Sequence, residues 1–75
     1  MKFGEKLKEL REDFEPKLTQ TELGLNCGIT QRKISYIEMG KTEPSLEDIK
    51  RLCEFFKVSA DYMLGLEKGL KYPKR

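Results

Sequence analysis

The sequence predicts a compact all-α domain built from five short helices. Apolar residues recur at spacings of three and four, which is the period of an amphipathic helix, and no segment alternates as a half-buried strand does. A glycine follows three of these segments, where it can end a helix in the left-handed conformation. Hydroxyl residues that can cap a helix precede four of the segments: Thr19, Thr30, Ser45 and Ser59. With 75 residues, of which 37% are hydrophobic, the chain can form one core.

The first helix is predicted from a single apolar face. The residues of that face stand at spacings of four, three and four: Phe3, Leu7, Leu10 and Phe14. Pro16 disfavours helical backbone at Glu15, so this helix is expected to end near Asp13 or Phe14.

The second helix is predicted over about 20–26. Thr19 and Glu22 can form a capping box in front of it, and Gly28 is placed to end it. A third helix starts at the next cap threonine and runs to about Met39.

The fourth helix starts at Ser45, which an acidic residue follows three positions later, and a short fifth helix follows Ser59 and ends at Gly65. Together these elements predict one domain over residues 1–66. The basic segment 67–75 is expected to be a flexible tail.

Composition argues against several classes of protein. The chain has no histidine, no nucleophile beside a base and no glycine-rich phosphate loop, so we expect neither an enzyme nor a cofactor. Cys27 and Cys53 lie far apart without metal-ligand spacing, so no metal site is predicted and both are expected to be reduced core thiols. Neither a membrane-spanning run nor a signal-peptide pattern is present, which favours a cytoplasmic protein.

Positive charge is concentrated in two parts of the chain. Segments 17–42 and 66–75 carry net charges of +2 and +3, whereas 1–16 and 43–65 carry −1 and −2. Such a distribution can form a footprint on a polyanion, although a solvated surface also produces it.

Residues 20–39 have the order of a helix-turn-helix, with Gly28 in the turn and the small Gly24 where the two helices would cross. Here the sequence resembles the lambda-repressor-like (Xre/Cro-type) helix-turn-helix family. The matching text is TQTELGLNCGITQRKISYIEMGKTEPSLEDIKRL, continued by VSADYMLGL. The resemblance covers about residues 3–66 and implies a five-helix DNA-binding domain whose second and third helices form the helix-turn-helix.

The outward face of the third helix is the candidate base-reading surface. A helical wheel turns both isoleucines of this helix toward the core. The opposite side carries Gln31, Arg32, Ser35 and Tyr36. Arg32 can bond bidentately to guanine, Gln31 to adenine, and Ser35 to several bases. Tyr36 can contact a thymine methyl group or a phosphate, and the alternative for the whole face is an ordinary solvated surface.

Phosphate contacts are expected on both sides of this face. The start of the second helix offers free amides at the positive end of the helix dipole, and the loop after the third helix offers amides and a cation. The candidate residues are Gln20, Thr21, Lys33, Lys41 and Thr42. The resemblance implies a backbone contact for Gln20 in particular, whereas each lysine alone is equally consistent with a role in solubility.

The resemblance also implies an ion pair between Arg11 and Glu38 that orients the third helix. The alternative is two independent surface charges. Two departures from the family pattern carry expectations of their own. Met39 stands where asparagine is common, which removes a phosphate contact, and Lys57 stands where glycine often ends the fourth helix, which predicts a strained backbone.

Apolar side chains are crowded in the C-terminal part, and a monomer of this size cannot easily bury all of them. Part of them is therefore expected to form a two-fold dimer interface, and the alternative is plain closure of the core. The candidate interface residues are Phe55, Tyr62, Met63 and Leu66. A homodimer would place two reading helices roughly 34 Å apart and favour an inverted-repeat operator.

These observations together predict a sequence-specific, double-stranded DNA-binding transcriptional regulator of bacterial or phage type, in the first instance a repressor. One alternative is an antitoxin that binds a toxin and its own operator, which co-purification of a toxin would reveal. Another is a protein-interaction module that has lost DNA binding, which would show no salt-dependent affinity for DNA.

Overall fold

The computed structural model describes residues 3–65, which form five α-helices and no strand. In chain order the helices are α1 (Phe3–Asp13), α2 (Gln20–Cys27), α3 (Gln31–Glu38), α4 (Leu46–Phe56) and α5 (Ala60–Leu64). The predicted fold class is confirmed, and the helix bounds agree closely with those predicted from caps and periodicity. The predicted tail, 67–75, lies outside the described residues. No helix within residues 3–65 has the length and apolarity that a membrane span requires.

One core receives a side chain from every helix. Its buried members are Leu7, Leu23, Cys27, Ile29, Ile34, Ile37, Leu52 and Met63. Helix α3 packs mainly on α1 and α2, whereas α4 packs mainly on α2 and α5. The third helix is therefore held from one side, and its opposite side faces away from the core.

Two glycines let α3 and the preceding turn approach their neighbours closely. A Cβ on Gly24 would overlap the carbonyl oxygen of Ile29 in the turn between α2 and α3. A Cβ on Gly4 would overlap the carbonyl oxygen of Ile37, so the start of α1 lies directly against the end of α3. Gly24 agrees with the prediction of a close crossing, whereas the sequence pattern gave no sign of the contact at Gly4.

The predicted caps are present. The Thr19 hydroxyl accepts a hydrogen bond from the Glu22 amide at 3.1 Å, and the Glu22 carboxylate accepts one from the Thr19 amide at 2.9 Å. Gly28 ends α2 with a φ of 71°, and Lys57 ends α4 with a φ of 58°. Lys57 therefore adopts the left-handed conformation in which a side chain is disfavoured, as its place in the family pattern implied.

The predicted dimer residues have different environments, and one assignment is wrong. Met63 is fully buried and packs in the monomer core, so it offers no surface to a second chain. Phe55 is half-buried and stacks on Phe14, with ring centroids 5.3 Å apart. Tyr62 is 44% exposed, and the Lys6 ammonium lies 4.3 Å from the centre of its ring. Leu66 lies outside the described residues.

Both cysteines are free thiols. Cys27 is buried in the core, and burial raises its pKa, although the charge of Arg51 lowers it in part. Cys53 is only half-buried, because it packs at the edge of the core rather than within it, and burial raises its pKa as well. Since the thiolate is the reactive form, a raised pKa fits a packing role for both residues.

Candidate nucleic-acid interface

Helix α3 has a buried side and an exposed side. Ile34 and Ile37 are 0% and 1% exposed, which anchors the helix in the core. On the opposite side Gln31 and Arg32 are exposed, and Tyr36 is 40% exposed. Ser35, the remaining predicted base-reading residue, is half-buried at the margin of this surface. The exposed side thus offers an amide, a guanidinium and a phenol, with a hydroxyl beside them.

A buried ion pair lies behind the exposed side of α3. Arg11 donates from Nε and Nη2 to the two carboxylate oxygens of Glu38, at 2.8 and 3.0 Å, in the arrangement that the resemblance implied. The two side chains are 10% and 4% exposed. The hydrogen bond with Glu38 raises the pKa of Arg11, against the opposing effect of burial. Since the pair is bidentate and carries no net charge, it can fix the end of α3 without adding repulsion toward an anion.

Two glutamines connect the Glu38 carboxylate to the exposed side of α3 through hydrogen bonds. Gln20 donates from Nε2 to Glu38 Oε1 at 3.0 Å, and Gln31 donates from Nε2 to Gln20 Oε1 at 2.8 Å. Gln20 is half-buried, and two of its hydrogen bonds are made within the protein. Gln31 keeps its carbonyl oxygen and one N–H for another partner, which is the acceptor and donor pair that adenine requires.

The start of α2 lies beside this glutamine pair. The Thr19 hydroxyl and carbonyl accept from the amides of Glu22 and Leu23, which leaves the first two amides of the helix, at Gln20 and Thr21, for an external acceptor. An open cavity of about 480 Å³ adjoins these amides. Its lining consists of Arg11, Lys17, Leu18, Thr19, Gln20, Thr21 and Gln31. The positive end of the helix dipole and the side chain of Lys17 favour a phosphate in this cavity, whereas the charge of Arg11 is already neutralised by Glu38.

The loop after α3 provides fewer donors than the sequence suggested. The amide of Gly40 donates to Ile37 O at 3.1 Å, and the amide of Lys41 donates to Tyr36 O at 2.9 Å. This is a Schellman arrangement, and it corrects the expectation that both amides are available to DNA. The exposed side chains of Lys41 and Thr42 remain, and the Lys41 ammonium lies 6.0 Å from the centre of the Tyr36 ring.

Lys33, a predicted phosphate contact, forms an ion pair within the protein that the sequence did not predict. Its Nζ lies 2.7 Å from Asp48 Oδ2 in the first turn of α4. Burial disfavours the charged form of Asp48, but the hydrogen bonds from Lys33 and Ser45 outweigh that effect and lower its pKa. The capping role of Asp48 is visible in the sequence, whereas its partner comes from another helix and leaves no local signal.

Comparison with known proteins agrees with this geometry. A helix-turn-helix family model matches residues 7–63, which is most of the chain. The chain belongs to the lambda-repressor-like helix-turn-helix family. In this helix-turn-helix protein, α2 and α3 are the two helices that give the family its name.

The proteins to which this helix-turn-helix chain is similar include several regulators. It is 37% identical over 68 residues to the HTH-type transcriptional activator BcrR of Enterococcus faecalis, covering 91% of this chain and 32% of that protein. The chain thus spans about a third of the length of this curated relative. The P22 c2 repressor, solved in complex with a synthetic operator, is 31% identical with a TM-score of 0.77, over 85% of this chain and 94% of that one. The restriction-modification controller protein C.AhdI of Aeromonas hydrophila is 26% identical with a TM-score of 0.73, over 83% and 91%.

Proposed function

We propose that the protein is a sequence-specific, double-stranded DNA-binding transcriptional regulator that places α3 in the major groove. The observation that carries this proposal is the division of α3 into two anchored isoleucines and an opposite exposed side with Gln31, Arg32 and Tyr36. An α-helix fits the width of the major groove, where these side-chain types can distinguish base pairs. The function is one of binding rather than catalysis.

Each exposed residue has a defined part in the proposed complex. Arg32 reads guanine through two donors, and Gln31 reads adenine in an orientation that Gln20 sets. Tyr36 contacts a thymine methyl group or a phosphate, and Ser35 contributes at the margin. Phosphates are held by the first amides of α2, by Thr21 and by the side chains that follow α3.

The phosphate contacts determine register and the base contacts determine sequence. Two copies of the chain bind an inverted repeat, with exposed Tyr62 and half-buried Phe55 near the contact between them. Occupying a promoter in this way excludes polymerase, so we propose repression in the cytoplasm. The similarity to BcrR, whose name describes an activator, makes activation the other outcome of a reporter assay.

The experiment starts from a duplex selected by the wild-type protein from a random library. Arg32→Ala should lose about 1–3 kcal/mol of affinity for the selected duplex and little for a random duplex, because only base reading is removed. Lys41→Ala should weaken both duplexes alike and reduce the salt dependence of binding, because a phosphate contact is removed. Failure to enrich any duplex would contradict the proposed function, and an equal loss on both duplexes for Arg32→Ala would remove its base-reading role.

A further inference from the structure

The Lys33–Asp48 pair joins the reading helix to the capping box of the next helix. Asp48 Oδ2 accepts a hydrogen bond from the Ser45 amide at 3.1 Å and lies 2.7 Å from Lys33 Nζ. The Asp48 side chain is only 9% exposed, whereas that of Lys33 is 41% exposed. A single carboxylate oxygen therefore holds the start of α4 and the lysine of α3 together.

The position of this lysine in its helix is unfavourable without such a partner. Lys33 stands in the first turn of α3, where the helix dipole is positive and disfavours a cation. Fixing a lysine side chain also reduces its conformational entropy. Pairing with Asp48 offsets both effects, because without Lys33 this nearly buried carboxylate would lose the cation beside it, which is itself destabilising.

The bridge connects two helices that pack mainly on other elements. Helix α3 packs on α1 and α2, and α4 packs on α2 and α5. At the far end of α3, Glu38 is held by Arg11. The loop that carries Lys41 runs from that fixed end of α3 to Ser45, which shares the carboxylate of Asp48. Both ends of the helix and both ends of the loop are thus fixed by ion pairs or caps.

We infer that Lys33 is a positioning residue, which acts through Asp48 to fix the first turn of α3 and the loop after it. An eight-residue helix is too short to be stable alone, so its orientation depends on such contacts. Gln31 and Arg32 stand in that first turn, and Lys41 stands in the loop. The inference rests on the proposed function as far as DNA is concerned, and it assigns Lys33 a role other than a phosphate contact.

The first arm of the test uses the free protein and needs no DNA. Lys33→Met keeps most of the side-chain length and removes the ammonium, and Lys33→Arg keeps the charge. We expect amide hydrogen exchange in α3 and in the loop 39–45 to become about 5- to 10-fold faster in Lys33→Met and to stay unchanged in Lys33→Arg and in the control Lys41→Met. Unchanged exchange in α3, or an equal acceleration in α1 and α5, would overturn the inference.

The second arm uses a duplex selected by the wild-type protein and a random duplex of the same length. Lys33→Met should weaken binding to the selected duplex about 5- to 20-fold, change the random duplex little and leave the salt dependence unchanged. Lys41→Met should instead reduce the slope of log K against log salt by about one. A reduced slope for Lys33→Met, or no loss on the selected duplex, would overturn the inference.

A third variant tests whether the effect of Lys33→Met depends on Asp48. Asp48→Asn retains an oxygen for the Ser45 amide and removes the charge that holds Lys33. In this background Lys33→Met should have no further effect on exchange or on binding, and an additive effect would show that Lys33 acts elsewhere. If the wild-type protein selects no duplex, the proposed function fails, while the exchange measurements still decide the inference.

Discussion

The connections α2–α3 and α4–α5 are the same three-residue turn with different residues. Each begins with a left-handed residue, continues with an apolar one and ends with a hydroxyl cap: Gly28, Ile29 and Thr30 in the first, Lys57, Val58 and Ser59 in the second. In both, the middle amide donates to the carbonyl four residues before the left-handed one, at 3.0 and 3.1 Å. That carbonyl belongs to Gly24 in the first turn and to Cys53 in the second.

The difference between the turns lies in how closely the backbones approach. Gly24 leaves no room for a Cβ against the Ile29 carbonyl, whereas Cys53 carries a side chain at the corresponding position. The first turn uses glycine at both special positions, and the second tolerates a strained Lys57. The same local chemistry thus builds both helix pairs, but only the pair that carries the candidate interface requires the closest packing.

The largest expected effect comes from the buried ion pair that supports the first helix pair. Glu38→Ala should lower the free energy of unfolding by about 3–5 kcal/mol, because it leaves Arg11 buried without its partner. Glu9→Ala is the matched control, since it removes the more exposed Lys6–Glu9 pair and should change stability by less than about 1 kcal/mol. Urea unfolding measures the stability of both variants. Equal small losses would show that the Arg11–Glu38 ion pair does not stabilise α2 and α3 more than a surface pair does.

A smaller effect is expected from comparing the two equivalent positions in the turns. Gly24→Ala should destabilise by about 1–3 kcal/mol, because the added methyl group meets a backbone carbonyl. Cys53→Ala removes only a half-buried thiol and should cost less than about 1 kcal/mol. Thermal unfolding measures the loss of stability in both variants. A smaller loss for Gly24→Ala than for Cys53→Ala would contradict the comparison.

The smallest effects concern the two left-handed residues, and they should have opposite signs. Gly28→Ala should destabilise by about 1–2 kcal/mol, since alanine disfavours a positive φ. Lys57→Gly should stabilise by about 0.5–1 kcal/mol, since relief of strain exceeds the added entropy of the unfolded chain. A loss of stability in Lys57→Gly would mean that its side chain makes a favourable contact.

Features that depend on neighbours in the sequence were predictable. The caps at Thr19, Thr30, Ser45 and Ser59 rest on residues three positions apart, and all of them form. The burial of α3 also followed from periodicity, because Ile34 and Ile37 are the isoleucines of one face. These elements make the fold class readable without a structure.

Features that depend on partners from distant segments were not predictable from the local pattern, and the Arg11–Glu38 pair was expected only because of the family resemblance. In the sequence Lys33 has the features of a surface cation, and only the packing of α4 places Asp48 beside it. Met63 reads as an interface residue because a count of apolar residues does not show which of them close the core. The contact between Gly4 and the end of α3 likewise arises only when the helices pack.

The central claim is that the exposed side of α3 and the start of α2 form the surface that meets DNA. Amide and side-chain NMR shifts, followed while a selected duplex is added, test it most directly. The account predicts the largest changes at Gln31, Arg32, Tyr36 and Thr21, with smaller changes at the proposed contact between two copies, around Phe55 and Tyr62. Changes concentrated on α4 and α5, with α3 unperturbed, would contradict it.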